Sequence, residues 1–124
     1  MSKTVLLVDD EKHVVSVVGH MLEQRGFQVV SATSGEEALE VLDNHNPDLA
    51  LLDIILPGID GATLAQRIRA RVDTETLPIV FLTGLVEADE IHRGGNQIGG
   101  QYFLAKPFDS TELFEVIDRA IAEA

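Results

Sequence analysis

The chain alternates short apolar runs with longer amphipathic stretches, and this alternation restricts the fold more than any other feature of the sequence. The apolar runs cover residues 4–8, 27–32, 49–53, 79–83 and 102–105. Run 49–53 lacks alternating polar residues, which is typical of a central strand buried on both faces. Strands that alternate with helical patterns build βα units and a parallel sheet. The sequence therefore predicts an α/β domain with five strands and five helices.

The stretches between the runs carry apolar residues at helical spacing. They predict helices over residues 11–25, from a cap at 34 to about 44, from the loop 57–61 to about 72, and from about 109 to about 123. Ser34 and Glu37 are spaced as a capping box, Asp109 is the expected N-cap of the last helix, and Gly26 should end the first. A helix over 87–92 is expected to be short or mobile, because glycine pairs follow it and each glycine costs about 1 kcal/mol in a helix interior.

Length and composition exclude several classes of protein. The 124 residues suffice for one domain, residues 1–124, but not for two ordinary ones. A formal charge of −12 argues against direct nucleic-acid binding, which depends on Lys and Arg. There is no cysteine, so disulfides and thiolate chemistry are excluded. No leader opens the chain and no apolar run approaches the roughly 20 residues of a membrane span, so a cytoplasmic location without membrane contact is expected.

Polar residues end four of the apolar runs. Asp9 and Asp10 follow the first run, Asp53 closes the third, Thr83 closes the fourth, and Lys106 follows the last. Open parallel sheets bind ligands outside the carboxyl ends of their strands. If these runs are neighbouring parallel strands, three carboxylates, a hydroxyl and an ammonium share one pocket.

Such a pocket suits a divalent cation and a phosphoryl group. Grouped carboxylates repel each other unless a cation joins them, and Mg²⁺ commonly takes one or two carboxylates with a phosphate oxygen. Zinc fits Asp9, Asp10 and Asp53 less well, because no histidine lies at ligand spacing around them. An aspartate such as Asp53 can attack a phosphoryl group, and Lys106 and the hydroxyl at the end of the fourth run would stabilise the charge that develops.

Four segments then carry a resemblance to a known family. They are Val-Asp-Asp-Glu at 8–11, Asp-Ile-Ile-Leu-Pro-Gly-Ile-Asp-Gly at 53–61, Leu-Thr-Gly at 82–84 and Lys-Pro-Phe at 106–108. In this order they resemble the receiver domain of bacterial two-component response regulators, with the architecture of the chemotaxis receiver. The resemblance implies a doubly wound, flavodoxin-like (βα)5 fold whose five-stranded parallel sheet has the order 2-1-3-4-5.

The resemblance also implies a role for each site residue. Asp53 is the expected phospho-acceptor and shares Mg²⁺, for which Mn²⁺ could substitute, with its neighbours. Asp10 would bind the metal directly, Asp9 largely through water, and Ile55 through its backbone carbonyl. Lys106 would pair with Asp53 or with its phosphoryl group.

A conformational switch follows from the same resemblance. The Thr83 hydroxyl is expected to move toward the phosphoryl group, and Phe103, three positions before Lys106, to turn inward. Without the family, Phe103 is an ordinary core aromatic. The bond between Lys106 and Pro107 is expected to be cis, with a slow isomerisation phase in folding.

The implied function is a signalling switch. A histidine kinase or histidine phosphotransfer protein would donate the phosphoryl group to Asp53, and the switched domain would control an output partner or effector domain. The domain would catalyse only its own phosphorylation and dephosphorylation, without turnover of an outside substrate. A second copy of the domain could also be a partner, in a dimer that forms on phosphorylation. One large class of transcription-factor receivers dimerises through charges that include a Gly-Ala-Asp-Asp segment, and this chain has Gly-Gly-Gln-Tyr at 99–102 instead.

Two departures from the family pattern generate hypotheses. Ile55 and Leu85 are apolar and cannot orient a hydrolytic water, which predicts slow loss of the phosphoryl group, unlike the fast loss in chemotaxis-type receivers. The glycine-rich segment 94–100 could let the fourth helix order only on phosphorylation or partner binding.

Three other functions stay open on the sequence. A haloacid-dehalogenase-like phosphohydrolase also uses Asp, Lys and Thr around Mg²⁺, but it carries two first-strand acids two residues apart and needs a cap insertion. A flavodoxin-like flavin carrier would need a Ser, Thr and Gly loop where this chain has Asp9, Asp10 and Glu11. A degenerate receiver would fold but take no phosphate.

Overall fold

The computed structural model describes residues 3–84, 97–98 and 101–123. The strands are β1 (Thr4–Val8), β2 (Gln28–Ala32), β3 (Leu49–Asp53), β4 (Ile79–Thr83), β5 (Gln97–Ile98) and β6 (Gln101–Ala105). The helices are α1 (Lys12–Gln24), α2 (Gly35–Leu42), α3 (Gly61–Arg69) and α4 (Ser110–Ala122). None of the helices in these ranges is long and apolar enough to cross a membrane.

One sheet holds all the described strands, in the order β2-β1-β3-β4-β6-β5. β1, β2, β3, β4 and β6 run parallel, which confirms the predicted five-stranded order. The two-residue β5 pairs antiparallel to β6 and was not predicted, because two residues are too short to show a period. The helix expected over 87–92, Leu85 and most of the glycine-rich segment 94–100 lie outside the described residues.

The helix ends show which local signals were correct. Ser34 accepts a hydrogen bond from the Glu37 backbone N–H at 3.1 Å, which confirms it as the N-cap of α2. The Glu37 carboxylate accepts from the Thr33 N–H at 3.0 Å instead of from the Ser34 N–H, so the return bond of the predicted capping box is made one residue earlier. The Asp109 carboxylate caps α4 by accepting from the Glu112 N–H at 2.8 Å. Gly26 has a φ of +89°, and its turn ends α1.

The third helix ends at Arg69, earlier than the predicted end at about residue 72. The chain turns there because the hydroxyl of Thr74, which is buried, donates a hydrogen bond back to the Ile68 carbonyl. The Arg71 backbone N–H donates to the same carbonyl at 3.2 Å. In a continuing helix the Ile68 carbonyl would accept from the Val72 N–H, four residues on. Here it accepts from the Thr74 hydroxyl and the Arg71 N–H instead, so the helix ends.

Two apolar layers enclose the sheet. The first packs between the sheet and helices α1 and α4, and the second packs between the sheet and helices α2 and α3. β3 and β4 are buried along their whole length, as the absence of polar alternation predicted for β3. The central strands are therefore held on both faces, and their carboxyl ends form one edge where polar residues collect.

Candidate functional site

The carboxyl ends of four neighbouring strands bring the predicted polar residues together. Asp9 directly follows β1, Asp53 ends β3, Thr83 ends β4 and Lys106 directly follows β6. The parallel register aligns these ends, since Asp53 lies opposite Leu82 and Thr83 lies opposite Ala105. The sheet thus places on one edge residues that are up to 97 positions apart in the chain.

Lys106 lies between two carboxylates. Its Nζ lies 2.8 Å from Asp9 Oδ2 and 3.2 Å from Asp53 Oδ2. The backbone N–H of Lys106 donates to the Thr83 carbonyl at 2.8 Å, which fixes the chain where the lysine leaves the sheet. The peptide bond from Lys106 to Pro107 is cis, as the resemblance implied.

The three acidic residues could hold a cation between them. Asp9 and Asp53 are buried and Asp10 is exposed, and one carboxylate oxygen from each lies within 4.8 Å of the others. A set of oxygen ligands with one solvent-facing member fits Mg²⁺, which keeps several waters. The donor set on this structure therefore agrees with the metal that the sequence predicted.

Backbone groups orient both buried carboxylates. The second oxygen of Asp9 accepts a hydrogen bond from the Glu11 N–H at 2.9 Å, and that of Asp53 accepts one from the Ile55 N–H at 3.2 Å. These bonds leave the Oδ2 atoms of both carboxylates directed at Lys106. Ile55 itself is 59% exposed.

The pKa values in the cluster are shifted by burial and by the close charges. Burial raises the pKa of Asp53, the charge of Asp9 raises it further, and the opposing effects of Lys106 and the Ile55 N–H leave it above its ordinary value. Burial alone lowers the pKa of Lys106, but the hydrogen bond and charge of Asp9, together with Asp53, outweigh burial and raise it. Ionised Asp53 is therefore costly in the metal-free domain, while Lys106 stays charged.

Asp53→Asn is expected to stabilise the metal-free domain at neutral pH. A carboxyl whose pKa is raised in the folded state does not lower the free energy of unfolding below its unfolded-state pKa of about 3.9. As the pH rises from there through the folded-state pKa, ionisation lowers the free energy of unfolding. Thermal unfolding in a chelating buffer at about pH 7 and about pH 4 tests this, because the advantage of the variant should be larger at the higher pH. Asp118→Asn, on the exposed side of α4, removes the same charge away from the site and should show no such gain. A loss of stability on Asp53→Asn at neutral pH would contradict the prediction.

The two predicted switch residues, Thr83 and Phe103, lie on the neighbouring strands β4 and β6. Thr83 is buried, and Phe103 is partly buried against the layer beneath α2 and α3. The Phe103 ring contacts Phe81 in a tilted arrangement with centroids 5.4 Å apart. Phe103 thus has the packing of a core aromatic.

Gly61 is a site residue to which sequence reasoning assigned no role. Its backbone N–H donates to the Ile54 carbonyl at 2.8 Å, so the loop between β3 and α3 closes on itself. A Cβ on Gly61 would overlap the Asp53 carbonyl and lie 2.7 Å from the Ile54 Cα. The Asp-Gly pair at 60–61 was visible as a motif, but only the folded loop shows that Gly61 abuts the backbone of Asp53.

A match to one family model decides the family of this chain. The family model of the response regulator receiver domain matches residues 5–118 of this chain. The chain belongs to the response regulator receiver domain family. It is a receiver domain of the two-component response regulators, and the parallel sheet of order 2-1-3-4-5 belongs with that assignment.

Curated relatives of this receiver domain are longer regulators. The regulatory protein VanR of Enterococcus faecium is 41% identical over 114 residues, which cover 91% of this chain and 47% of VanR. The phosphate regulon transcriptional regulatory protein PhoB of Rhizobium meliloti is 36% identical over 124 residues, which cover 100% of this chain and 54% of PhoB. The receiver domain therefore spans about half the length of these relatives.

A solved receiver structure carries a metal in its cleft. The receiver domain of the sensor histidine kinase PA1611 from Pseudomonas aeruginosa has a magnesium ion coordinated in the active site cleft. It superposes on this receiver domain with a TM-score of 0.82 at 28% identity, covering 98% of this chain and 99% of the other.

Proposed function

We propose that this receiver domain accepts a phosphoryl group on Asp53 in a Mg²⁺-dependent reaction and thereby switches its affinity for a partner. The observation that carries the proposal is the position of Lys106 Nζ, which is shared between Asp9 and Asp53 within 3.2 Å. A nucleophilic carboxylate beside a fixed cation and a set of metal-binding oxygens has the parts that phosphoryl transfer requires.

The transfer exchanges one bond to phosphorus for another. A carboxylate oxygen of Asp53 forms the new bond to phosphorus as the bond between phosphorus and the donor breaks, and the donor keeps that electron pair. From a phosphohistidine the leaving group is an imidazole, which takes up a proton when it departs. Lys106 turns from the Asp53 carboxylate to the phosphoryl oxygens, and the Thr83 hydroxyl donates to them, so charge on the transferred group stays compensated.

Mg²⁺ would supply positive charge next to the transferred oxygens. Asp9, Asp10 and Asp53 would hold it, together with the carbonyl of Ile55, and Mn²⁺ would substitute because it prefers the same oxygen ligands. The support for this set is the 4.8 Å grouping of the three carboxylates and the magnesium ion in the PA1611 receiver.

The partners follow from the direction of transfer. A histidine kinase or a histidine phosphotransfer protein donates the group, and phosphorylation shifts the domain toward a second conformation through Thr83 and Phe103. Relatives such as PhoB are about twice as long as this chain, so an effector domain or a separate output protein receives the signal. Residues 1–124 act as one receiver domain in the cytoplasm, without turnover of an outside substrate.

Intact mass spectrometry tests the proposal most directly. The protein is incubated with Mg²⁺ and a small acyl phosphate, alongside Asp53→Asn and a metal-free sample. One added phosphoryl group is expected in the wild type and in neither control. Addition to Asp53→Asn, or addition without metal at the same rate, would overturn the assignment of the acceptor or of the metal.

The phosphoryl group is expected to be lost slowly from Asp53. Ile55 is exposed two residues after Asp53, and its side chain carries only carbon and hydrogen, so it cannot orient an attacking water. Ile55→Asn supplies a polar group there and should shorten the lifetime about tenfold, which is less than the roughly 100-fold minimum for a positioned general base, because an asparagine amide can orient a water but does not take its proton. Decay is followed by intact mass after removal of the donor.

Val72→Asn is the matched control for this prediction. Val72 is 87% exposed in the turn after α3, so the same polar replacement there leaves the site untouched. A phosphoryl lifetime that is equal in Ile55→Asn and the wild type would refute the role of Ile55. A wild-type lifetime as short as that of fast chemotaxis-type receivers would refute the prediction as a whole.

A further inference from the structure

The first turn of α2 interlocks with the loop that follows the acceptor strand. We call residues 54–60 the acceptor loop. Gly58 in this loop has a φ of +73°, and a Cβ there would lie 2.6 Å from a carboxylate oxygen of Glu36. From the other side, a Cβ on Gly35 would lie 3.0 Å from the Ile59 Cβ. Each glycine lets the opposite segment approach, so helix and loop lie in direct contact.

Glu36 adds a polar bond to this contact. Its Oε1 accepts a hydrogen bond from the Ile59 backbone N–H at 3.4 Å. Glu36 and Gly58 are exposed, while the Ile59 side chain is partly buried in the layer beneath α2 and α3. The tip of the acceptor loop is therefore held from outside by a helix that contributes no residue to the acidic cluster.

The base of the acceptor loop is held by separate bonds. Ile54 is fixed on both sides, because its N–H donates to the Leu82 carbonyl at 3.1 Å and its carbonyl accepts from Gly61 at 2.8 Å. Ile55, whose carbonyl is a proposed metal ligand, lies between this base and the tip. An unanchored tip would let that carbonyl move relative to Asp53.

We propose that Glu36 is a positioning residue, which holds the acceptor loop by accepting from the Ile59 N–H and so keeps the Ile55 carbonyl aligned with Asp53. This inference rests on the proposed function, since it assigns Glu36 to the same metal and phosphoryl site. Glu36 acts on the acceptor loop from α2 as a hydrogen-bond acceptor, and its negative charge is not required for this role.

Three variants separate these roles. Glu36→Ala removes the acceptor and the charge, Glu36→Gln keeps an oxygen that accepts from Ile59 and removes only the charge, and Glu40→Ala removes the same charge from an exposed position one turn further along α2. In Mg²⁺ titrations, Glu36→Ala should weaken binding by about three- to tenfold, at or below the low end for residues that support metal ligands. Glu36→Gln and Glu40→Ala should stay within about twofold of the wild type.

A second readout does not depend on metal or phosphate. Amide hydrogen exchange at Ile59 in metal-free protein should be faster in Glu36→Ala than in the wild type, and Glu36→Gln should restore protection. Equal weakening by Glu36→Gln and Glu36→Ala would show that charge acts and would overturn the inference, as would unchanged exchange and affinity in Glu36→Ala. A wild type that binds no Mg²⁺ would count against the proposed function, and Ile59 exchange would still decide whether Glu36 holds the loop.

Discussion

Lys106→Met is expected to slow phosphoryl transfer to Asp53 by a factor of roughly 100 to 1,000, the cost of removing one fixed donor from a developing anion. The ammonium lies 3.2 Å from Asp53 Oδ2 before the reaction, so it needs only a small movement to reach a phosphoryl group on that oxygen. Methionine keeps most of the length and the apolar stem of lysine but offers no hydrogen-bond donor. The rate is measured by intact mass at saturating Mg²⁺ and acyl phosphate.

A stability effect accompanies the loss of rate and needs its own control. Asp9 is fully buried, and Lys106→Met leaves its carboxylate without the cation at 2.8 Å, which destabilises the metal-free domain. Circular dichroism at the assay temperature verifies that the variant is folded when the rate is measured. Lys3→Met removes the same charge from an exposed position ahead of β1 and should leave the rate unchanged. A Lys106→Met protein that is folded and reacts within threefold of the wild type would remove Lys106 from the mechanism.

Gly61→Ala is expected to destabilise the domain by about 1 to 3 kcal/mol and to impair phosphorylation as well. The new methyl group would overlap the Asp53 carbonyl, and its next neighbour is the Ile54 Cα at 2.7 Å. Both neighbours are backbone atoms of the central sheet and of the loop that leaves it, so no side chain can turn away to make room. Relief requires a shift of Asp53 itself, which moves its carboxylate relative to Lys106.

Gly19→Ala provides a matched comparison of opposite sign. Gly19 lies inside α1, and a Cβ there would meet only Val29 Cγ1 at 4.0 Å, an ordinary contact. Since alanine is better than glycine in a helix interior by about 1 kcal/mol, this variant should be more stable than the wild type. Urea unfolding of both variants measures the difference, and the acyl phosphate assay should show a slower rate only in Gly61→Ala. Equal stabilities for the two variants would mean that the loop accommodates the methyl group.

Local signals in the sequence were sufficient for most elements of the fold. The N-cap at Ser34, the cap at Asp109 and the glycine at 26 depend on residues within a few positions of one another, and all three were confirmed. The end of α3 was misjudged because it depends on the buried hydroxyl of Thr74, whose burial no local pattern reports. The strand β5 escaped prediction because two residues carry no periodicity.

The amino-acid sequence by itself determined the parallel sheet, the acidic and basic residues that meet at its carboxyl edge, and the family. The spacing of apolar residues and the polar residues at strand ends are both visible in the sequence. Parallel strands then bring their carboxyl ends to one edge of the sheet. Only the tertiary structure decided that Lys106 is shared between Asp9 and Asp53, that Gly61 lies against the Asp53 backbone, and that Glu36 contacts the loop of residues 54–60. These contacts join residues that chain folding brings within a few ångströms of one another. A contact of this kind produces no periodicity and no motif in the sequence, so the sequence does not reveal it.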